Sequence, residues 1–325
     1  MSNPGNTRWP AIPFGQWQET SAALHLFSQI VGKYRLARTP WLNHSWHATL
    51  YVNARGLTTS LIPDPAGPIE ISFDFLEQRL LAEAPAETAR GFSLEPMSVA
   101  EFHQRFIGLL KAMGRDPEFH GRPNEIPEPV AFGDDTRPRH YDGDAVRRFH
   151  QALVSISQVF GKFRTGFLGK ASPVHLFWGS FDLAVTRFSG RTAPEHQGGI
   201  PALPDKITRE AYSHEVSSAG FWPGGGPSDE AAFYAYAYPA PEGFKDARVQ
   251  PSAAFWDEGA GEFILPYQAV SQAADPEADL MAFLQSTYDA AAEPGHWPRR
   301  ELECPVGEPR VLRPRQSACL IRTGL

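Results

Sequence analysis

Leu24-His-Leu-Phe-Ser-Gln-Ile-Val-Gly-Lys-Tyr-Arg35 aligns without a gap on Leu153-Val-Ser-Ile-Ser-Gln-Val-Phe-Gly-Lys-Phe-Arg164. Leu, Ser, Gln, Gly, Lys and Arg are identical in the two stretches. The apolar stripe also keeps its phase: Leu24 with Leu153, Phe27 with Ile156, Val31 with Phe160, Tyr34 with Phe163. Spacings of three and four residues mark both stretches as amphipathic helices. Each is followed by alternating strand patterns and then by another helix. The same order met twice predicts an α+β fold of two pseudo-equivalent halves, each helix, antiparallel strands, helix, packed as one unit by internal duplication. The competing reading is two unrelated amphipathic helices.

The first helix spans about residues 19–37 and Pro40 stops it. Trp46 to Asn53 alternates and predicts a strand; so does Ile69 to Phe75, with a short strand at Phe92 to Leu94. Ser98 and Glu101 form a capping box that opens a helix ending at Gly114. A Pro- and acid-rich connection over residues 122–140 then separates a first half, 9–121, from a second, 141–293. After its long helix the second half shows one long strand, Val174 to Phe188, bulged at Gly179–Ser180. Strands at Ala211 to Ser218, Ala232 to Tyr238 and Phe263 to Leu265 follow. Asp275–Pro276 opens a final helix with Asp as N-cap and Pro at the first position. Residues 304–325 show no period and read as a disordered Pro- and Arg-rich tail.

The chain has 325 residues, 42% apolar and 21% charged, an ordinary globular composition. A net charge of −7 without a basic block argues against a nucleic-acid partner. No stretch is apolar for long enough to span a membrane, and the N-terminus has no basic-then-apolar leader. The expected location is cytoplasmic. Cys304 and Cys319 both lie near the C-terminus and cannot staple the body of the fold.

Reactive types concentrate in three places: Asn43-His44-Ser-Trp46-His47, His175-Leu-Phe-Trp178-Gly-Ser-Phe-Asp182, and Tyr212-Ser-His214-Glu215. A one-residue gap in the repeat brings His47 onto His175. Imidazole and carboxylate suit a borderline divalent metal such as zinc, iron or manganese, so His47, His175, His214 and Glu215 are candidate ligands. The same residues with Asp182 are candidate acid–base groups. The spacing matches no compact metal motif, and buried structural histidines are the plainer reading. Arg187, on one strand with Asp182, is a candidate holder of an anionic group, against an ion pair at a sheet edge. Trp178, Trp222 and Tyr51 are candidate walls of an aromatic pocket, against ordinary core. Phe221-Trp-Pro-Gly-Gly-Gly226 lacks the Lys and the helix of a phosphate loop and reads as a turn or lid. No dinucleotide fingerprint and no serine-hydrolase elbow occurs.

Longer runs carry a resemblance. Trp9-Pro-Ala-Ile-Pro, Leu24 to Lys33, Trp46-His-Ala-Thr-Leu-Tyr-Val, Arg55-Gly-Leu-Thr-Thr-Ser, His175 to Gly190 and Glu210 to Gly226 resemble a bacterial family known only as domain of unknown function 5996. The likeness covers nearly the whole chain. It implies one full-length unit and transfers no catalytic residue. The expectation is therefore a small-molecule enzyme with a His/Glu cleft between the halves, possible metal dependence included. Its alternatives are a non-catalytic small-molecule-binding protein with an aromatic pocket, or a protein-interaction module.

Overall fold

The computed structural model describes residues 8–225 and 229–312. Helix α1, Gln18–Arg38, leads into strands β1 Tyr51–Val52, β2 Gly56–Ile62, β3 Ile69–Asp74, β4 Arg79–Glu83 and β5 Arg90–Ser93, then helix α2 Val99–Ala112. The second half runs α3 Gly143–Arg164, β6 His175–Phe177, β7 Asp182–Thr192, α4 Asp205–Ala211, β8 His214–Trp222, β9 Ala232–Tyr238, β10 Phe255–Asp257, β11 Glu262–Pro266, α5 Tyr267–Ser271, α6 Pro276–Ala292 and α7 Arg299–Leu302. The strands form two antiparallel sheets, ordered β1-β2-β3-β4-β5 and β10-β11-β9-β8-β7-β6. The fold is α+β; the order helix, antiparallel strands, helix holds from α1 to α2, whereas in the second run α4 interrupts the strands between β7 and β8.

The two sheets meet edge to edge. Leu50 and Leu176 exchange both backbone hydrogen bonds, at 2.9 and 2.8 Å, joining the first strand of one half to the first strand of the other. Helix α3 straddles this seam, packing on β1, β7, α1 and α6. One apolar core therefore runs through both halves, from Phe27 and Phe73 to Phe221 and Leu284. Helix α1 lies in its middle. Its buried residues fall on all sides, Gln29, Gly32 and Lys33 included, so it is a central helix rather than a surface one with a single apolar face. Ser98 caps α2 by accepting the Glu101 N–H, Asp142 caps α3, and Asp275 caps α6 ahead of Pro276.

Three expectations need correction. Trp46 to Asn53 is mostly turn; His44 and Ser45 adopt φ of 58° and 56°, and only Tyr51–Val52 is strand. Val174 to Phe188 is a hairpin rather than one bulged strand. The chain reverses at Trp178–Phe181, where Phe181 has φ 58°, and His175 pairs back with Ala184. The tail begins docked: the Cys304 N–H donates to Gly166 O at 3.1 Å, and Gly307 N–H to Thr165 Oγ1 at 2.8 Å. Residues 313–325 lie outside the described residues.

Candidate functional site

The second sheet is two-faced because its strands alternate. Leu183 and Val185, Ala219 and Phe221, Phe233 and Ala235, Phe263 and Leu265 turn into the helix-covered core. The opposite face carries Asp182, Ala184, Thr186 and Phe188 of β7, Val216, Ser218 and Trp222 of β8, Tyr234 and Tyr236 of β9, and Glu262 of β11. No sheet covers it. Its roof comes from the turn at 41–48, the connection at 120–125, and α4, with Lys33 of α1 at one side. Between floor and roof is a cavity of about 940 Å³, at the upper end of what drug-sized ligands occupy. Residues of both halves wall it.

The roof is tied down by polar contacts. His44 N–H donates to Glu210 Oε2 at 2.8 Å, and the His44 ring bonds Ala211 O at 3.0 Å, which joins the 41–48 turn to α4. Gln29 grips the backbone of Asn124 from both sides, at 2.8 and 3.0 Å. Glu125, with φ 58°, donates its N–H to Pro201 O.

Glycines admit the functional side chains. A Cβ on Gly220 would stand 2.3 Å from the Tyr234 ring, so the ring lies across the glycine and its hydroxyl donates to Asp182. A Cβ on Gly179 would meet Glu125 Oε1 at 1.9 Å, and one on Gly32 would meet the Trp178 indole at 2.2 Å. Trp178 in turn donates to Ala48 O at 2.6 Å and carries Lys33 Nζ 5.4 Å from its ring centroid.

Three carboxyls converge on this space. Burial holds Asp182 above the usual carboxylate range, against the Ser180 and Tyr234 hydroxyls that donate to it. Glu125 is pushed up to about 7 by burial and by the charge of Asp182, with Lys33 pulling it down. Glu262 is pushed up to about 8 by burial, then by Asp182 and Asp257. Burial lowers the Lys33 amine to about 8, and its nearest partners are Asn124 Oδ1 and His120. The wall is aromatic: Trp222 stacks on Tyr234 with centroids 4.1 Å apart, and Tyr234 stacks on Tyr236 at 6.1 Å.

Of the residues singled out in the sequence, His47, Trp178, Asp182 and Trp222 line this cavity. His175 does not: it is fully buried, its Nδ1 side bonded to Pro173 O, its Nε2 without a partner, and burial lowers it to about 4. His214 stands at the start of β8, its ring 6.2 Å from that of His44. Glu215 faces the other way, bonded to Ser189 and paired with Arg191 at 2.7 Å. Among the described residues no three His, Cys, Asp or Glu side chains are grouped to hold a metal ion. The set His47, His175, His214, Glu215 is dispersed over both faces of the sheet. Arg187 points into the core, its guanidinium 3.4 Å from the Phe163 ring centroid and 4.4 Å from that of Tyr288, and it makes no edge ion pair with Asp182. Tyr51 packs on Arg35, at 5.4 Å. Gly224 and Gly225, with φ of 109° and 76°, lie against Phe14; Gly226 falls outside the described residues.

Comparison with known sequences agrees with this single cored unit. The family of unknown function DUF5996 matches residues 9–304. The chain belongs to that family. No curated protein and no solved structure matches it. Among the described residues of this DUF5996 member, no helix is long and apolar enough to cross a membrane.

The ionisations predict a pH profile. His44 and His175 are lowered to about 4 by burial, so their stabilising neutrality is lost as pH falls from 6.5 through 4. Glu125 and Glu262 bind their protons more tightly folded than unfolded. Their contribution is present below 4.5 and is lost as pH rises through about 7 and 8. Above pH 6.5 these histidines no longer contribute and the carboxyls lead up to about pH 8, where the lowered Lys33 amine begins to act in the opposite direction. Thermal denaturation of the unliganded chain is expected to show falling stability from pH 6.5 to pH 8, by up to about 1.4 kcal/mol per pH unit from Glu262 and less from Glu125, which is half ionised at about 7. Glu262→Gln should flatten that slope, and an unchanged slope would place the Glu262 proton elsewhere.

Proposed function

We propose that this chain is an enzyme that binds a small organic molecule in the cavity between its halves and performs acid–base chemistry on it. The observation that carries this reading is the pairing of two unlike carboxyls in one enclosed space. Asp182 is held by the Tyr234 and Ser180 hydroxyls, while Glu125 stands free of such donors beside Lys33. The charge of Asp182 acts on Glu125, and two interacting carboxyls do not ionise together readily, so one can hold a proton while the other accepts one. In this reading Glu125, near neutrality, moves the proton. Asp182 and Tyr234 orient the reacting group, and Lys33 stabilises negative charge. The aromatic row Trp222, Tyr234, Tyr236 holds the apolar body of the substrate.

The same row supports a second reading, a binding protein without turnover, because stacked rings supply contact area without chemistry. The edge-to-edge seam at Leu50 and Leu176 and the largely shared order of elements support descent of the two halves from one duplicated unit. In that case the cavity is an asymmetric addition, since only the second sheet supplies a floor.

A metabolite library screened by thermal shift, followed by proton NMR of each stabilising compound with the chain in heavy water, tests the proposal. Deuterium incorporation or product formation is expected for at least one compound, falling about a hundredfold or more in Glu125→Gln. Stabilising compounds that remain chemically unchanged would favour the binding reading. An absence of stabilising compounds would remove the cavity as a ligand site.

A further inference from the structure

The floor of the cavity is electrostatically one-sided. The register puts Thr186 opposite Ser218 and Ser218 opposite Tyr236. Glu262 lies one residue beyond the Phe263–Ala235 pair, directly across from Tyr236. One row back, Tyr234 reaches Asp182. The floor thus presents two carboxyls beside a stacked aromatic row in which Tyr234 is enclosed and Trp222 and Tyr236 border the cavity, with Tyr212 closing the side through a 3.0 Å hydroxyl contact to Tyr236.

Among the described residues no cationic side chain acts on Asp182 or Glu262. Glu262 Oε2 is buried without a hydrogen-bond partner. Lys33 stands on the far side, occupied with Asn124, His120 and the Trp178 face, and among the carboxyls its charge reaches Glu125. Of the two cations that line the cavity, Lys33 and Arg122, only Lys33 acts on a carboxyl, and that carboxyl is Glu125. Ring faces and carboxylates have one ligand preference in common. Both attract positive charge, the ring through its quadrupole and the carboxylate directly. A cation would supply the counter-charge that lets these buried carboxyls ionise, which neither an anionic nor a neutral ligand can do.

We propose that the ligand of this cavity is an organic cation, an amine or quaternary ammonium on an apolar body, seated against Trp222 and Tyr236 with Asp182 and Glu262 facing its charge. This rests on the cavity being the ligand site, as argued above. The row Trp222–Tyr234–Tyr236 receives the body and part of the charge. The two carboxyls receive the N–H groups or the diffuse charge of the head.

Four matched probes separate the possibilities: phenethylamine, phenyltrimethylammonium, phenethyl alcohol and 3-phenylpropionate, titrated against the full chain at neutral pH by calorimetry. The two cations are expected to bind at least about tenfold tighter than the alcohol, with the propionate weakest. Glu262→Gln and Asp182→Asn are each expected to cost the cations about tenfold while leaving the alcohol unchanged. The selectivity of the unmodified chain decides the matter even if a variant fails to fold. Alcohol or propionate binding as tightly as the cations would overturn the ligand class and leave the cavity reading standing. Binding of none of the four at millimolar concentration would overturn both.

Discussion

Replacing Arg187 with alanine is expected to destabilise the chain by about 3 kcal/mol or more, measured by urea denaturation. The residue is 1% exposed, the largest fully buried side chain in the core. Its guanidinium lies among the rings of Phe163, Phe167 and Tyr288, at 3.4, 5.0 and 4.4 Å, and donates to Phe163 O. Burial lowers it to about 10, so it keeps its charge at neutral pH, supported by the ring faces in contact with it and by the charges of Glu303 and Asp289. Alanine would remove those contacts and leave a cavity between α3, α6 and β7. Arg187→Met keeps most of the volume and should cost markedly less. Arg187 is thus a packing residue, whereas its place on β7 beside Asp182 suggested anion binding. An Arg187→Ala chain that is as stable as the parent but has lost ligand binding would restore the anion-binding role.

Gly220→Val is expected to cost about 2–3 kcal/mol and to abolish binding in the cavity. The position is crowded by the Tyr234 ring, and valine has two further methyl groups beyond the Cβ already 2.3 Å from it. The ring must swing out, which breaks its bond to Asp182 and its stack on Trp222. Stability and probe binding should fall together. Gly220→Ala should show both effects at reduced size. A Gly220→Val chain with unchanged stability and unchanged affinity would show that Tyr234 is not held in the observed position.

Both effects turn on strand alternation, and alternation is where the sequence was most legible. The α1 and α3 stripes, β3, β9, the Ser98 cap and the Asp275–Pro276 start all appear as their spacing predicts. The hairpin at Trp178–Phe181 was hidden because its left-handed residue is a phenylalanine, not the Asn or Gly that marks tight turns. β2 was hidden because the shift at Thr58–Leu61, where Ser60 has φ 53°, breaks its period.

The site was half visible. Asp182, Trp178, Trp222 and His47 were singled out as reactive or aromatic types, and they line the cavity. Glu125, Glu262 and Lys33 were not. Glu125 sits in a Pro-rich connection that reads as a boundary. Glu262 follows a turn, where a carboxylate is ordinarily solvated. Lys33 lies between Val31 and Tyr34 on a helix whose burial on all sides no single-face pattern reveals. One signal was present: Gln29 and Lys33 are one helical turn apart and recur as Gln158 and Lys162, yet only the first pair is buried. His175, one of the four metal candidates, is in the core because the hairpin turns β6 back along β7 and buries it.

The most direct test of the account is a crystal structure of the chain with the compound that stabilises it most. The account predicts density against Trp222 and Tyr236, within hydrogen-bonding reach of Asp182, Glu125 or Glu262, with the Leu50–Leu176 seam intact. Density on the outer surface, with these carboxyls unengaged and the cavity empty, would contradict it.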